Sequence, residues 1–127
     1  AGSRKPEAAI LATGSLSYST LTAARALAAD GIESIVLHVP TVKPLDEKAV
    51  LDAARQAGRV VTVEEHQTAG GFGSAIAEFL SDINHVSIKR LGVQDRFGQS
   101  GTPEELLKHY GLDAFHIEDT VRALVRI

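Results

Sequence analysis

A glycine-rich turn, Gly70-Gly71-Phe72-Gly73-Ser74, is the segment of this sequence best suited to binding an anion. Glycines at the start of a helix leave several backbone N–H groups accessible, and the helix dipole favours negative charge there. The turn could therefore hold a phosphate or a carboxylate. Alternatively, its glycines allow the helix to pack closely against a strand or another domain. We favour packing, because no Lys or Arg accompanies the turn as phosphate sites usually require.

A short acidic segment followed by a histidine, Glu64-Glu65-His66, stands just before the glycine-rich turn. A carboxylate beside an imidazole can carry out general acid–base catalysis, or it can form hydrogen bonds across an interface. Successive side chains on an extended strand point to opposite faces, so Glu64 and Glu65 are not expected to share one pocket. Because the rest of an acid–base constellation is missing from the chain, we favour the interface.

A charged pair, Asp95-Arg96, follows the last predicted strand and could bind a charged ligand, although such pairs more often order a loop or contact another subunit. The five histidines show no H-E-x-x-H spacing, and neither Gly14-Ser15 nor Gly73-Ser74 has the G-x-S-x-G frame of a nucleophile elbow. We therefore predict no catalytic residue and no metal ligand. The candidates for an interface or an anion site are Glu64, Glu65, His66, Gly70, Gly71, Phe72, Gly73, Asp95 and Arg96.

Alternating strand and helix signals place these candidates around a sheet. Apolar or β-branched runs predict strands over residues 8–13, 32–39, 59–64 and 86–91. The apolar stripe of the first helix is predicted to comprise Leu21, Ala24, Leu27 and Ala28. Asp46 is a suitable N-cap for the second helix, and Gly58 a suitable stop. This alternation predicts a three-layer α/β/α fold with a mostly parallel sheet, and the candidates follow the carboxyl ends of its strands.

Bulk composition narrows the class of protein. The chain has 127 residues, which fits a single domain over residues 1–127, with residues 1–7 flexible or of artificial origin. Its net charge is −3, with acids and bases interleaved, so a nucleic-acid partner is not expected. No apolar run approaches the roughly 20 residues of a membrane span. The absence of cysteine excludes disulfides and suits a cytoplasmic protein.

Several ordered segments resemble the C-terminal domain shared by transketolases, deoxyxylulose-phosphate synthases and the β subunits of 2-oxo-acid dehydrogenases. These segments are Lys43-Pro44-Leu45-Asp46, Val61-Thr62-Val63-Glu64-Glu65-His66, Gly70-Gly71-Phe72-Gly73-Ser74-Ala75 and residues 92–101. The last of these, together with Pro103-Glu104-Glu105-Leu106-Leu107 and Tyr110-Gly111-Leu112, is similar to transketolase in particular. The likeness runs from about Ala8 to the end of the chain, in the family's order.

The resemblance implies a sheet of about five strands, one of them antiparallel, and a role in dimer assembly within a larger enzyme. Thiamine diphosphate and magnesium would bind to two other domains of that parent enzyme, which transfers a two-carbon ketol unit between sugar phosphates of the pentose phosphate pathway. None of the family's catalytic residues can be placed on this sequence, so the chain alone is not expected to be catalytic. The resemblance also implies that Glu64 to His66 and the glycine-rich turn face an interface.

Two alternatives remain open from the sequence. The chain could be a free-standing α/β module that holds a phosphate or a nucleotide at Gly70 to Gly73. It could also keep the same fold within a different parent, either a 1-deoxy-D-xylulose-5-phosphate synthase or a dehydrogenase β subunit.

Overall fold

The sheet consists of four strands in which every neighbouring pair is parallel, in the order β2-β1-β3-β4. The strands are β1 (Ala8–Thr13), β2 (Ser34–Val39), β3 (Arg59–His66) and β4 (Ser87–Val93). The computed structural model describes residues 5–13, 16–39, 46–66, 72–81, 86–93 and 113–126, without the side chains of residues 65, 66, 72–74 and 93. Each predicted strand is present, with bounds that differ by at most two residues.

Four helices within the described ranges cover the two faces of this sheet. They are α1 (Ser17–Ala29), α2 (Glu47–Ala57), α3 (Phe72–Leu80) and α4 (Ala114–Val125). Ile10 packs in a cluster with residues of α1 and α4, whereas its neighbour Leu11 packs with residues of α2 and α3. The predicted three-layer α/β/α arrangement is therefore confirmed.

The strand order explains why the helices divide in this way. The connection through α1 carries the chain from β1 outward to β2, and the connection through α2 carries it back across β1 to β3. Because crossovers between parallel strands are right-handed, a reversal of direction places the two helices on opposite faces. The step to β4 continues in the direction of β3, so α3 shares the face of α2.

The resemblance implied about five strands with one running antiparallel, and the described residues differ from this in count and direction. None of the four strands runs backwards. Nor is a strand present at the described C-terminal end, where residues 113–126 are helical apart from their first and last residues. Each of the described strands is joined to the next through a helix, which is the connection that parallel pairing requires.

Strand β1 lies at the centre of the core. All six of its residues are buried, and Ala8 to Ala12 have no exposed surface at all. A strand covered on both faces must be apolar on both faces, which accounts for its continuous rather than alternating run of apolar residues.

Two of the helix starts follow the sequence closely. Asp46 caps α2 by accepting a hydrogen bond from the backbone N–H of Ala49 at 3.1 Å, as predicted, and Asp113 caps α4 in the same way through His116. Gly58 ends α2 with φ 73°, a left-handed conformation that costs a residue with a Cβ atom about 1–2 kcal/mol.

The buried face of α1 was predicted correctly only at Leu27. Its buried residues are Thr20, Ala23 and Leu27, whereas Leu21 is 44% exposed. Thr20 can be buried because its hydroxyl donates to the carbonyl oxygen of Leu16 at 2.9 Å. That hydrogen bond makes a polar residue compatible with the core, and a count of apolar residues cannot anticipate it.

One arginine joins the C-terminal ends of α1 and α4. Arg122 Nη2 donates to Asp30 Oδ2 at 2.5 Å, and its Nε donates to Glu118 Oε2 at 3.2 Å. The hydrogen bond to Asp30, together with the bond to Glu118, raises the pKa of Arg122 above its ordinary value. Because this contact joins the ends of the two helices, α1 and α4 run side by side in the same direction.

Removing the α2 cap is expected to destabilise the fold. The Asp46→Ala variant should lower the free energy of unfolding by about 1 kcal/mol, because the N–H of Ala49 loses its acceptor. Urea denaturation followed by circular dichroism measures this change. Asp52→Ala, an exposed carboxylate on the same helix, is the matched control and should stay within about 0.5 kcal/mol of the parent. Equal losses in the two variants would contradict the assignment of Asp46 as a cap.

Candidate interface at the carboxyl edge of the sheet

All four strands finish at the same end of the sheet, which we call the carboxyl edge. It comprises Thr13, Val39, His66 and Val93, together with the first turns of α1 and α2. The direction of the crossovers reverses between β1 and β3, and open α/β sheets bind their ligands outside such a switch point. The candidates Glu64, Glu65 and His66 therefore lie where a site is expected.

Glu64 is a buried carboxylate at this edge. It is 4% exposed, and the residue has an interaction partner. Strand alternation places it on the same face as Val60 and Thr62, which is the face covered by α2 and α3. A carboxylate is rarely buried unless it is paired, so this position is specialised compared with an ordinary strand end.

The pairing of β3 with β4 becomes irregular immediately after Glu64. Glu64 pairs with Gly92, and His66 pairs with Val93, the residue directly after Gly92. Glu65 is therefore an extra residue on β3, as in a β-bulge. Such bulges are frequent beside functional sites, where they redirect a side chain or end the pairing. The expectation that Glu64 and Glu65 face opposite sides of the sheet assumed regular strand pairing. The pairing of β3 with β4 is irregular between Glu64 and His66.

The glycine-rich turn leads into α3, which begins at Phe72 and packs on the sheet through Ile76 and Leu80. Gly73 lies in the first turn of that helix. Gly70 and Gly71 fall outside the described residues, as do Asp95 and Arg96. The structure therefore brings Glu64, Glu65 and His66 to the same edge as the start of α3, and it adds nothing on Asp95 and Arg96.

Ser17 and His38 form a pair that the sequence reasoning missed. The Oγ atom of Ser17 lies 2.5 Å from Nδ1 of His38. Ser17 is the first residue of α1, and Leu16 occupies the cap position. β1 and β2 are parallel neighbours, so the start of α1, four residues beyond the end of β1, and the penultimate residue of β2 lie at the same carboxyl edge.

The resemblance implies thiamine diphosphate and magnesium for the parent enzyme. Within the described part of the chain, no three His, Cys, Asp or Glu side chains are arranged to hold a metal ion.

A parallel sheet with this order and these helices agrees with the fold that the resemblance implies. A family model described as "Transketolase, C-terminal domain" matches residues 2–117. The chain belongs to the transketolase C-terminal domain family. The family recognised in the sequence is thereby confirmed.

Relatives of this transketolase C-terminal domain include two kinds of enzyme. The chain is 44% identical over 122 residues to the 1-deoxy-D-xylulose-5-phosphate synthase 1 of Geobacter metallireducens, covering 94% of this chain and 20% of the relative. It is 47% identical over 108 residues to the 6-deoxy-6-sulfo-D-fructose transketolase subunit SqwH of a Clostridium species, covering 85% of this chain and 34% of the relative.

A solved structure extends the comparison to three dimensions. It is described as "Split gene transketolase, inactive beta4 tetramer" and superposes with a TM-score of 0.86 at 38% sequence identity, covering 97% of this chain and 40% of that one. The chain thus spans between about a fifth and two fifths of the length of these relatives. Among the described helices, none is both long enough and apolar enough to cross a membrane.

The space beside Glu64 can be tested through the residue opposite it. A side chain at Gly92 would lie next to the buried carboxylate on the adjacent strand, so Gly92→Val should destabilise the domain by about 1–3 kcal/mol through overpacking. Urea denaturation measures the change. Lys89→Val, an exposed substitution in the same strand, is the control and should be close to neutral. A neutral or stabilising Gly92→Val would mean that Glu64 is not closely packed against β4.

Proposed function

We propose that this chain is the C-terminal domain of a thiamine-diphosphate-dependent transketolase, a two-carbon ketol transferase, and that it serves assembly rather than chemistry. The observation that supports this most strongly is the likeness along 97% of the chain to a split-gene transketolase of which it covers only 40%. A fragment of that size leaves room for the domains that would carry the cofactor. On this proposal, residues 1–127 form one domain of a homodimeric, cytoplasmic enzyme of the pentose phosphate pathway.

The carboxyl edge is the surface that we assign to assembly. Its buried carboxylate, Glu64, and the irregular pairing at Glu65 are specialised features that an ordinary solvent-facing strand end does not need. The partner surface would belong to the cofactor-binding domains of the parent enzyme, and the contact would extend to His66, the glycine-rich turn and the pair Asp95-Arg96. The solved relative is described as a β4 tetramer, and its forming an oligomer supports the proposed role in assembly.

Thiamine diphosphate and magnesium belong to the other domains on this proposal. The described residues of this chain offer no cluster of metal ligands, and the family places the cofactor elsewhere. The side chains at the carboxyl edge would instead hold the neighbouring domains in register, which affects catalysis only through their positions.

A different parent remains the second candidate. Several relatives at 41–44% identity are named 1-deoxy-D-xylulose-5-phosphate synthases, and the chain covers 19–20% of the first two of them. The sequence upstream of this domain in its gene discriminates the two parents, because the domains that would carry the cofactor and the substrate site differ between a transketolase and a synthase. The purified full enzyme can be assayed for formation of 1-deoxy-D-xylulose 5-phosphate and, in parallel, for ketol transfer between sugar phosphates. The first activity would identify a synthase and the second a transketolase.

An isolated chain that serves assembly should bind no cofactor. Isothermal titration with thiamine diphosphate plus magnesium is expected to give no heat of binding, and parallel titrations with ATP, NAD and inorganic phosphate should also give none. The reason is that the binding groups would lie on other domains. Binding of phosphate or a nucleotide that Gly71→Ala or Gly73→Ala abolishes would contradict the proposal and favour a free-standing module with its site at Gly70 to Gly73.

Substitution of His66 in the full parent enzyme separates assembly from chemistry. His66→Ala should raise either the dimer dissociation constant or KM about tenfold, the effect of losing about 1.4 kcal/mol at an interface, with kcat within about twofold. Sedimentation velocity and steady-state kinetics provide the measurements. Gln56→Ala, an exposed change near the end of α2 remote from the carboxyl edge, serves as the control. A large loss of kcat in an intact dimer would show that His66 takes part in the reaction.

A further inference from the structure

Ser17 and His38 have the geometry of a nucleophile and its general base. The Oγ atom of Ser17 is 2.5 Å from Nδ1 of His38, within hydrogen-bonding distance. The two residues belong to different elements, and the pairing of Ala12 with His38 fixes the position of His38 beside β1. His38 is exposed and Ser17 is half-buried, so a small molecule can reach the pair.

The start of α1 adds a favourable field for an anionic oxygen. Ser17 is the first residue of this 13-residue helix, whose N-cap residue Leu16 offers no side-chain acceptor and whose first turn contains no acidic residue. In contrast, the starts of α2 and α4 are each capped by a carboxylate, from Asp46 and Asp113. The positive end of the α1 dipole is therefore not offset by a local carboxylate, and negative charge that develops near Ser17 is stabilised.

From this geometry we propose that Ser17 is a reactive serine that accepts acyl groups from activated esters, with His38 as its base. In the first step, His38 Nδ1 takes the proton from Ser17 Oγ as that oxygen attacks the carbonyl carbon of the ester. The tetrahedral intermediate then expels the alcohol or phenol, which takes up the proton held by His38, and Ser17 is left as an acyl ester. Water can later release the acyl group as the carboxylic acid by the same proton transfers. No oxidant or metal is needed.

The assignment goes beyond the proposed role in assembly and does not depend on it. A chain that fails to assemble with any partner can still be acylated at Ser17, and a chain that assembles normally can be inert to esters. The two ideas are therefore tested by different measurements on the same preparation.

The test is reaction of the chain with p-nitrophenyl acetate, followed by release of p-nitrophenolate and by peptide mass mapping of the acetylated residue. We expect the acetyl group on the peptide that contains Ser17, and no such group in Ser17→Ala. His38→Gln should slow acetylation at least about 100-fold, the usual effect of losing a general base. Ser19→Ala, in the same turn of α1, is the matched control and should react like the parent chain.

Three results would overturn the assignment. They are an absence of acetylation at Ser17 in the parent chain, equal rates in His38→Gln and the parent, and a Ser19→Ala variant as slow as Ser17→Ala. Circular dichroism of each variant shows whether it is folded. Mass mapping of the parent chain locates the acetyl group without any substitution. It therefore tests the proposal even if the Ser17→Ala variant does not fold.

Discussion

The burial of β1 on both faces is the constraint from which the rest of this structure follows. A strand with six buried residues needs a helix layer above it and another below it. Right-handed crossovers can supply both layers only if the chain reverses direction after β2, and this reversal puts β1 in the middle of the order β2-β1-β3-β4. As a consequence, the adjacent residues Ile10 and Leu11 pack in two separate core clusters, one on each face of the sheet.

The same constraint creates the carboxyl edge. Parallel strands all finish on one side, so residues far apart in the chain meet there, as Ser17 and His38 do across 21 positions. At the same edge, Glu64 is buried because it lies on the face covered by α2 and α3, and the strand pairing changes one residue later. A buried carboxylate, an imidazole and a hydroxyl are thus concentrated at one end of the sheet.

Local chemistry explains which features could be predicted from the sequence. Asp46 and Gly58 were identified correctly because a cap and a left-handed stop depend on a few adjacent residues, and β1 was located to the residue because both of its faces are apolar. The buried face of α1 was not fully predicted, since Thr20 is buried through a hydrogen bond rather than through its hydrophobicity. The burial of Glu64 and the contact of Ser17 with His38 depend on strand order and pleat. Both are properties of the folded chain and not of any short segment.

The charges at the carboxyl edge bear on the choice between an anion site and an interface. In the described part of the chain, this edge carries the carboxylates of Glu64, at the end of β3, and of Asp46 and Glu47, at the start of α2, with Lys48 one position further on. Like charges repel, so a phosphate approaching the start of α3 would meet carboxylates as well as helix N–H groups. A protein surface can offer those carboxylates neutral donors or cations at fixed positions, which a free phosphate cannot do. The balance of charge therefore favours contact with a partner domain over capture of a phosphorylated ligand.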